Sequence, residues 1–114
     1  MESNSQIDGF TDLFYSRLLS RASQESGSSY TAKLLNSGKS KILQKVGEEA
    51  VEVVLAGATG ERNELVSEIA DLYYHVMVLM VSEKVRPEEI RAELEKRMAI
   101  SGIEEKNSRM SGNE

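Results

Sequence analysis

The chain has no cysteine, no tryptophan and only one proline among its 114 residues. Without cysteine, neither a disulfide framework nor a thiolate metal site can form. Basic residues are also fewer than acidic ones, 14 against 19, so the formal net charge is −5. Binding to duplex nucleic acid requires a basic face that neutralises phosphates, so we expect no nucleic-acid partner.

Long hydrophobic segments are missing as well. The longest apolar run covers 69–81 and includes Asp71 and His75, whereas a helix that spans a bilayer needs about 20 apolar residues. Residues 1–15 lack the basic start and apolar centre of a signal peptide. We therefore expect a soluble, cytoplasmic protein that has no membrane partner.

Apolar residues recur at helical spacing along most of the chain. The pattern predicts long helices over 8–24, 39–58 and 61–83, and a short helix over 29–38. A further helix should open at Arg86-Pro87, since proline suits a first turn, and end near 101–102. We predict one all-α domain over 1–114, an antiparallel bundle of four to five helices that oligomerises through helix packing, with 1–6 and about 104–114 flexible.

Two segments, KVGEEAVE at 45–52 and EIADLYYH at 68–75, place acids at helical spacing inside apolar sequence. At 100° per residue, Glu49 projects at the edge of its helix's apolar arc. Glu64, Glu68, Asp71 and His75 share one stripe of the third long helix. Between 69 and 81 the other residues of this helix are apolar or tyrosine all round, so we expect it to be buried. Buried carboxylates need compensation. A divalent cation, with magnesium favoured and manganese possible, would satisfy several oxygens at once.

Each of these features has a simpler alternative. Adjacent glutamates are common on solvated helix faces, and a lone histidine is more often a hydrogen-bonded core residue than a metal ligand. We favour His75 as outer support for the metal site, because Asp71 lies one turn away.

The segment 26–47 contains no acid but holds Lys33, Lys39, Lys41 and Lys45. Lysines beside a metal–carboxylate cluster suit a substrate that carries phosphates. The alternative is ordinary pairing along the helix, such as Lys45 with Glu49, which contributes only a few tenths of a kcal/mol. The combination favours metal-assisted attack of water on a phosphoanhydride, with Glu48 orienting the water.

Four segments are informative together: SYTAKLLNSG at 29–38, KILQKVGEEAVE at 41–52, EIADLYYHVMVLM at 68–80 and ELEKRMAISGIEEKNSR at 93–109. In these segments the chain resembles the phosphoribosyl-ATP pyrophosphatase family. The resemblance implies the all-α fold of the MazG-like nucleotide pyrophosphohydrolases. It also implies magnesium-dependent hydrolysis of phosphoribosyl-ATP to phosphoribosyl-AMP and pyrophosphate, the second step of histidine biosynthesis.

The resemblance also implies roles for individual residues. The metal ligands would be Glu49, Glu52, Glu68 and Asp71. The catalytic residues would be Glu48 and Glu49, with Glu48 a further ligand or the base that activates water. The substrate-binding residues would be Tyr30, Thr31, Lys33, Lys41, Lys45 and, for a phosphate, Arg97. Serine separates Lys39 from Lys41 in the segment KSK, so the resemblance does not decide which of these two lysines takes the family's basic role.

Relatives of this kind are helical dimers or larger assemblies, so the resemblance implies a homodimer in which a partner chain completes each site. It also implies that phosphoribosyl-AMP cyclohydrolase, the functional neighbour in the pathway, is a separate chain. Two alternatives stay open. One is a house-cleaning pyrophosphatase that acts on free NTPs or dNTPs, and the other is a non-catalytic helical dimerisation module.

Overall fold

A computed structural model describes the backbone of residues 2–23 and 29–112, and the side chains of 9, 11–23 and 29–99. Every regular element in these ranges is a helix, which confirms the all-α prediction. The helices are α1 (Glu2–Ala22), α2 (Tyr30–Asn36), α3 (Lys39–Thr59), α4 (Arg62–Glu83) and α5 (Pro87–Gly112).

The centre of the fold is an antiparallel hairpin made by α3 and α4. Gly60 ends α3 with a left-handed φ of 79°, which glycine adopts without steric cost, and its N–H bonds the carbonyl of Ala56. Glu61 then caps α4 by accepting a hydrogen bond from the Glu64 N–H at 3.1 Å. At the opposite end, Lys39 donates to Glu83 at 3.2 Å, so the start of α3 lies beside the end of α4.

The apolar core lies at that open end of the hairpin, where α1 and α2 pack against it. Ile42 of α3 and Val78 of α4 are fully buried. The other buried members of the core are Tyr15, Leu18, Leu34 and Val81. The core holds α2 over the middle and the open end of the hairpin, and this position decides which side chains of α2 approach α4.

The helix boundaries agree with the prediction at α3 and α4 but differ at the two ends of the chain. Helix α1 begins at Glu2 rather than at residue 8, and α5 continues to Gly112 rather than ending at 101–102. A glycine inside a helix costs about 1 kcal/mol but ends the helix only when it turns left-handed, and Gly102 is followed by good helix formers. Residues 1 and 113–114 lie outside the described part, and the flexibility of the termini stays a prediction.

The prediction that α4 is buried on all sides is wrong for the single chain. Helices α1, α2 and α3 cover one side of α4, while Tyr73 on another side is 70% exposed. Val76 and Met80 line an open apolar groove whose other wall includes Ile90 and Leu94 of α5. Among the described residues, α4 is the one helix long and apolar enough to cross a membrane by length and composition, a test that core helices of soluble proteins also pass.

Candidate active site

Three carboxylates converge halfway along the hairpin. Glu49 comes from α3 and Glu68 and Asp71 come from α4, and one carboxylate oxygen of each lies within 4.8 Å of the others. We call these three residues the acid group. Glu68 and Asp71 are three residues apart and so share a helix face. The side chain of Glu49 is 14% exposed, as its place at the edge of the apolar arc predicts.

The electrostatics of the acid group favour a bound cation. Partial burial, together with repulsion by Glu52, Asp71 and Glu49, raises the pKa of the Glu68 carboxyl above its ordinary value of 4.5. No lysine or arginine forms an ion pair with Glu68 or Asp71 among the ion pairs of the described residues. Three carboxylate oxygens, two of them from residues without a basic partner among these ion pairs, fit a hard divalent ion such as Mg²⁺ or Mn²⁺.

Glu48 and Glu52 lie outside the acid group. Glu48 accepts a hydrogen bond from Gln44 at 2.8 Å and lies 3.5 Å from the Lys45 ammonium. The hydrogen bond from Gln44, with help from Lys45 and Lys41, lowers the pKa of the Glu48 carboxyl. Glu52 is exposed, one turn beyond Glu49, and close enough to Glu68 to repel it electrostatically.

Lys45 joins the acids to the substrate-binding segment. Its ammonium lies 3.7 Å from Glu49 as well as 3.5 Å from Glu48. Partial burial lowers the pKa of Lys45, but Tyr30, Glu48 and Glu49 outweigh that effect and raise the pKa overall. Lys45 is therefore a fixed positive charge at the edge of the acid group.

The remaining basic candidates are more exposed. Lys33 lies on α2 and Lys41 on α3, both at the surface. Arg97 lies on α5, where it pairs with Glu93 at 3.0 Å. In the described part of the chain α5 makes no backbone contact with α3 or α4, so the structure does not bring Arg97 to the acid group.

The start of α2 rests on the face of α4 that carries His75. Ser29 caps α2 by accepting a hydrogen bond from the Ala32 N–H at 3.0 Å, which fixes the direction of Tyr30 and Thr31. The Tyr30 hydroxyl lies 3.2 Å from Nε2 of His75. Nδ1 of His75 lies 2.7 Å from the backbone carbonyl oxygen of Asp71, so the contact of His75 with this metal-ligand candidate is through the main chain.

Sequence reasoning missed two residues at the site. Tyr74 stacks on Tyr30 with ring centroids 6.1 Å apart, and its hydroxyl is hydrogen-bonded to Thr31. Gln44 holds Glu48. The spacing of four residues between Gln44 and Glu48 is a usable signal. Nothing in the apolar run around Tyr74 distinguishes that tyrosine from a core residue.

Comparisons with known proteins show which family the chain resembles. Residues 10–98 match the family model described as phosphoribosyl-ATP pyrophosphohydrolase. The phosphoribosyl-ATP pyrophosphatase of Geobacter metallireducens is 49% identical over 90% of this chain and 94% of its own length. That of Sulfurisphaera tokodaii is 49% identical over 76% of this chain and 93% of its own.

A relative of another organisation matches as well. The histidine biosynthesis bifunctional protein HisIE of Wolinella succinogenes is 42% identical over 92% of this chain, but the match covers only 46% of that protein. The same helical unit thus occurs inside a longer relative. From the family match over most of its length and from its similarity to these relatives, the chain belongs to the phosphoribosyl-ATP pyrophosphohydrolase family.

Proposed function

We propose that this protein hydrolyses phosphoribosyl-ATP to phosphoribosyl-AMP and pyrophosphate, the second step of histidine biosynthesis. The observation that carries the proposal is the acid group, which two antiparallel helices build beside Lys45 in a chain of this family. Water adds to phosphorus, the bond between the α- and β-phosphates breaks, and the β- and γ-phosphates leave as pyrophosphate. We place this activity in the cytoplasm.

We propose that Glu49, Glu68 and Asp71 hold Mg²⁺, with Mn²⁺ as a substitute, and that Glu52 joins them when the ion is bound. The ion would supply charge stabilisation to the phosphate oxygens. Glu52 supports the assignment because it already lies close to Glu68.

Glu48 suits a role in orienting the attacking water. Gln44 and Lys45 keep its carboxylate charged and fixed, so it accepts a hydrogen bond well but takes up a proton poorly. We assign Lys45 to contact with a phosphate oxygen, and its position beside Glu48 and Glu49 at the edge of the acid group supports this assignment. Lys33, Lys41 and Tyr30 extend the substrate site from Lys45 along α2 and α3, whereas Thr31 is buried and hydrogen-bonded to Tyr74 and so supports the site from inside the fold.

We further propose that the protein works as a homodimer. The radius of gyration is 18.2 Å, against about 13 Å for a compact domain of about 100 residues. The groove between α4 and α5 exposes apolar side chains that one chain leaves uncovered, among them Ile90 and Met98, the latter 75% exposed. A second chain would cover such a surface and could bring its Arg97 to the site. Sedimentation equilibrium should show a dimer, and a monomer at micromolar concentration would contradict this proposal.

The decisive test of the activity is pyrophosphate release from phosphoribosyl-ATP. We expect release that depends on magnesium, stops with EDTA and is much faster than release from ATP or dNTPs. Faster cleavage of dCTP or dUTP would instead favour a house-cleaning pyrophosphatase. No turnover of any nucleotide would favour a non-catalytic helical module.

Variants sharpen this test. Glu52→Gln should abolish turnover while the helical circular dichroism signal persists, because Glu52 is exposed and contributes no core contact. Glu83→Gln is the matched control, since Glu83 lies at the open end of the same hairpin, pairs with Lys39, and is not among the acids that raise the pKa of Glu68. Equal loss of activity in both variants would contradict the assignment of Glu52. We expect a phosphoribosyl-AMP cyclohydrolase activity to consume the product.

A further inference from the structure

His75 is the only histidine of the chain, and it is buried, with 5% of its surface exposed. Both ring nitrogens have partners: Nδ1 lies 2.7 Å from the backbone oxygen of Asp71, and Nε2 lies 3.2 Å from the Tyr30 hydroxyl. His75 therefore connects the helix of the acid group to the first residue of α2.

The chemistry of these partners fixes the direction of each hydrogen bond. A carbonyl oxygen can only accept, so Nδ1 must carry the hydrogen that it donates to Asp71. A neutral imidazole has one N–H, which leaves Nε2 as an acceptor. The hydroxyl of Tyr30 then donates to Nε2, and its oxygen has only lone pairs left to offer to any other group.

Tyr30 is placed to use those lone pairs on a ligand. It is 50% exposed, and its ring stacks on Tyr74 at an interplanar angle of 26°, which limits its rotation. It is also close enough to Lys45 to influence the pKa of that ammonium. The Tyr30 oxygen thus lies near the cation at the edge of the acid group, with its proton directed away toward His75.

We propose that His75 is a positioning residue that makes Tyr30 a hydrogen-bond acceptor for the nucleoside part of the substrate. The donor would be a hydroxyl or amino group of that part. A phosphate oxygen, which carries no hydrogen, cannot bind the Tyr30 oxygen in this arrangement. The assignment to a substrate rests on the proposed function, whereas the direction of the hydrogen bonds does not.

The first test measures the tautomer of His75 in the full-length protein without substrate. Two-bond ¹H–¹⁵N correlation spectra distinguish the two neutral tautomers, and the single histidine gives one set of signals. At about pH 9, where imidazoles are ordinarily neutral, we expect the hydrogen on Nδ1. A hydrogen on Nε2 would overturn the proposal, because Tyr30 would then accept from His75 and be free to donate to phosphate.

The second test separates nucleoside contacts from phosphate contacts. Tyr30→Phe should raise the KM for phosphoribosyl-ATP about three- to tenfold, the effect of one lost hydrogen bond. It should leave inhibition by inorganic pyrophosphate unchanged, because pyrophosphate has no nucleoside part. Tyr73→Phe is the matched control, since Tyr73 is 70% exposed and should lose no substrate contact. An equal loss of affinity for pyrophosphate and substrate in Tyr30→Phe would overturn the proposal.

Variants of His75 test the positioning role itself. His75→Leu should raise KM as Tyr30→Phe does, and the double variant should be no worse than either single one. His75→Gln should recover part of the affinity, because its amide oxygen can accept from Tyr30. Fully additive effects would overturn the proposal. If His75→Leu does not fold, the tautomer in the unsubstituted protein and the pyrophosphate comparison in Tyr30→Phe still decide.

The outcomes distinguish this inference from the proposed function. If the unsubstituted protein releases pyrophosphate but the hydrogen lies on Nε2, the activity stands and the inference fails. If no nucleotide is hydrolysed and the hydrogen lies on Nδ1, the proposed function fails while the hydrogen-bond direction stands, and the substrate assignment falls with the function.

Discussion

Replacing one carboxylate of the acid group should change the stability of the protein in opposite directions without and with magnesium. The carboxylate oxygens of Glu49 and Asp71 lie within 4.8 Å of each other. Two unit charges at that distance repel by about 1 kcal/mol even at the dielectric constant of water. Without metal, Asp71→Asn should therefore be more stable than the unsubstituted protein by about 1 kcal/mol, or about 4 °C in Tm for a chain of this size.

With magnesium the order should reverse. An ion that binds only the folded state adds about 2.7 kcal/mol of stability when its concentration is 100 times Kd, which corresponds to about 10 °C in Tm. Asp71→Asn removes one of the four proposed carboxylate ligands, so it should bind the ion far more weakly and lose most of this increase. The unsubstituted protein should then have the higher Tm.

This reversal is measured by thermal unfolding, followed by far-ultraviolet circular dichroism, in EDTA and in about 10 mM MgCl₂. That concentration is about 100 times a Kd of about 0.1 mM. The protein concentration must be held constant, because the Tm of an oligomer depends on it. Glu83→Gln should keep the full magnesium shift, since Glu83 lies at the open end of the hairpin beside Lys39 and outside the acid group. A full magnesium shift in Asp71→Asn, or a metal-free Tm below that of the unsubstituted protein, would refute the argument.

Three further predictions concern the metal-free protein and are measured by urea unfolding. The pKa of Glu68 is higher in the folded protein than its ordinary value of 4.5, so protonation of Glu68 stabilises the fold. This contribution is complete at pH values below 4.5 and is lost as the pH rises through the folded-state pKa. Glu68→Gln should therefore flatten the dependence of stability on pH between 4 and 7 (a range chosen around the ordinary carboxyl pKa of about 4), and parallel profiles would contradict this. Gly38→Ala should cost about 1–3 kcal/mol, because a side chain is strained at φ 100° and ψ 164°. Its control Gly47→Ala lies inside α3 with open space around it and should gain up to about 1 kcal/mol of stability. Stability changes of the same sign in both variants would contradict the argument. Ile42→Ala should cost about 2–5 kcal/mol, because Ile42 is fully buried, and a change within the surface range of about 0.5 kcal/mol would place the core elsewhere.

Much of the fold could be predicted from the sequence because the signals are local. The apolar periodicity of α3 and α4 and the residues that end them predict those helices to within a residue or two. Proline at the first turn of α5 predicts where that helix begins. The end of α5 could not be predicted, because a serine–glycine pair ends a helix only if the glycine turns left-handed.

The burial of α4 was mispredicted for a related reason. Its apolar residues surround the helix, which is typical of a buried helix, yet the single chain supplies neighbours on one side only. The local sequence shows that a helix face is apolar. It does not show whether the same chain or another chain covers that face.

The sequence by itself determined that Glu68 and Asp71 share a face of α4 and that an acidic, lysine-flanked segment precedes them, because the spacing of residues on a helix is fixed by its geometry. The tertiary structure alone decided that Glu49, rather than Glu48 or Glu52, joins them, and that His75 turns its second nitrogen toward Tyr30. Those choices depend on the register and rotation of α3 and α2 against α4. The turn at Gly60 and the packing around Ile42 and Val78 set that register. The core packing joins residues far apart in the chain, so local sequence patterns do not predict it.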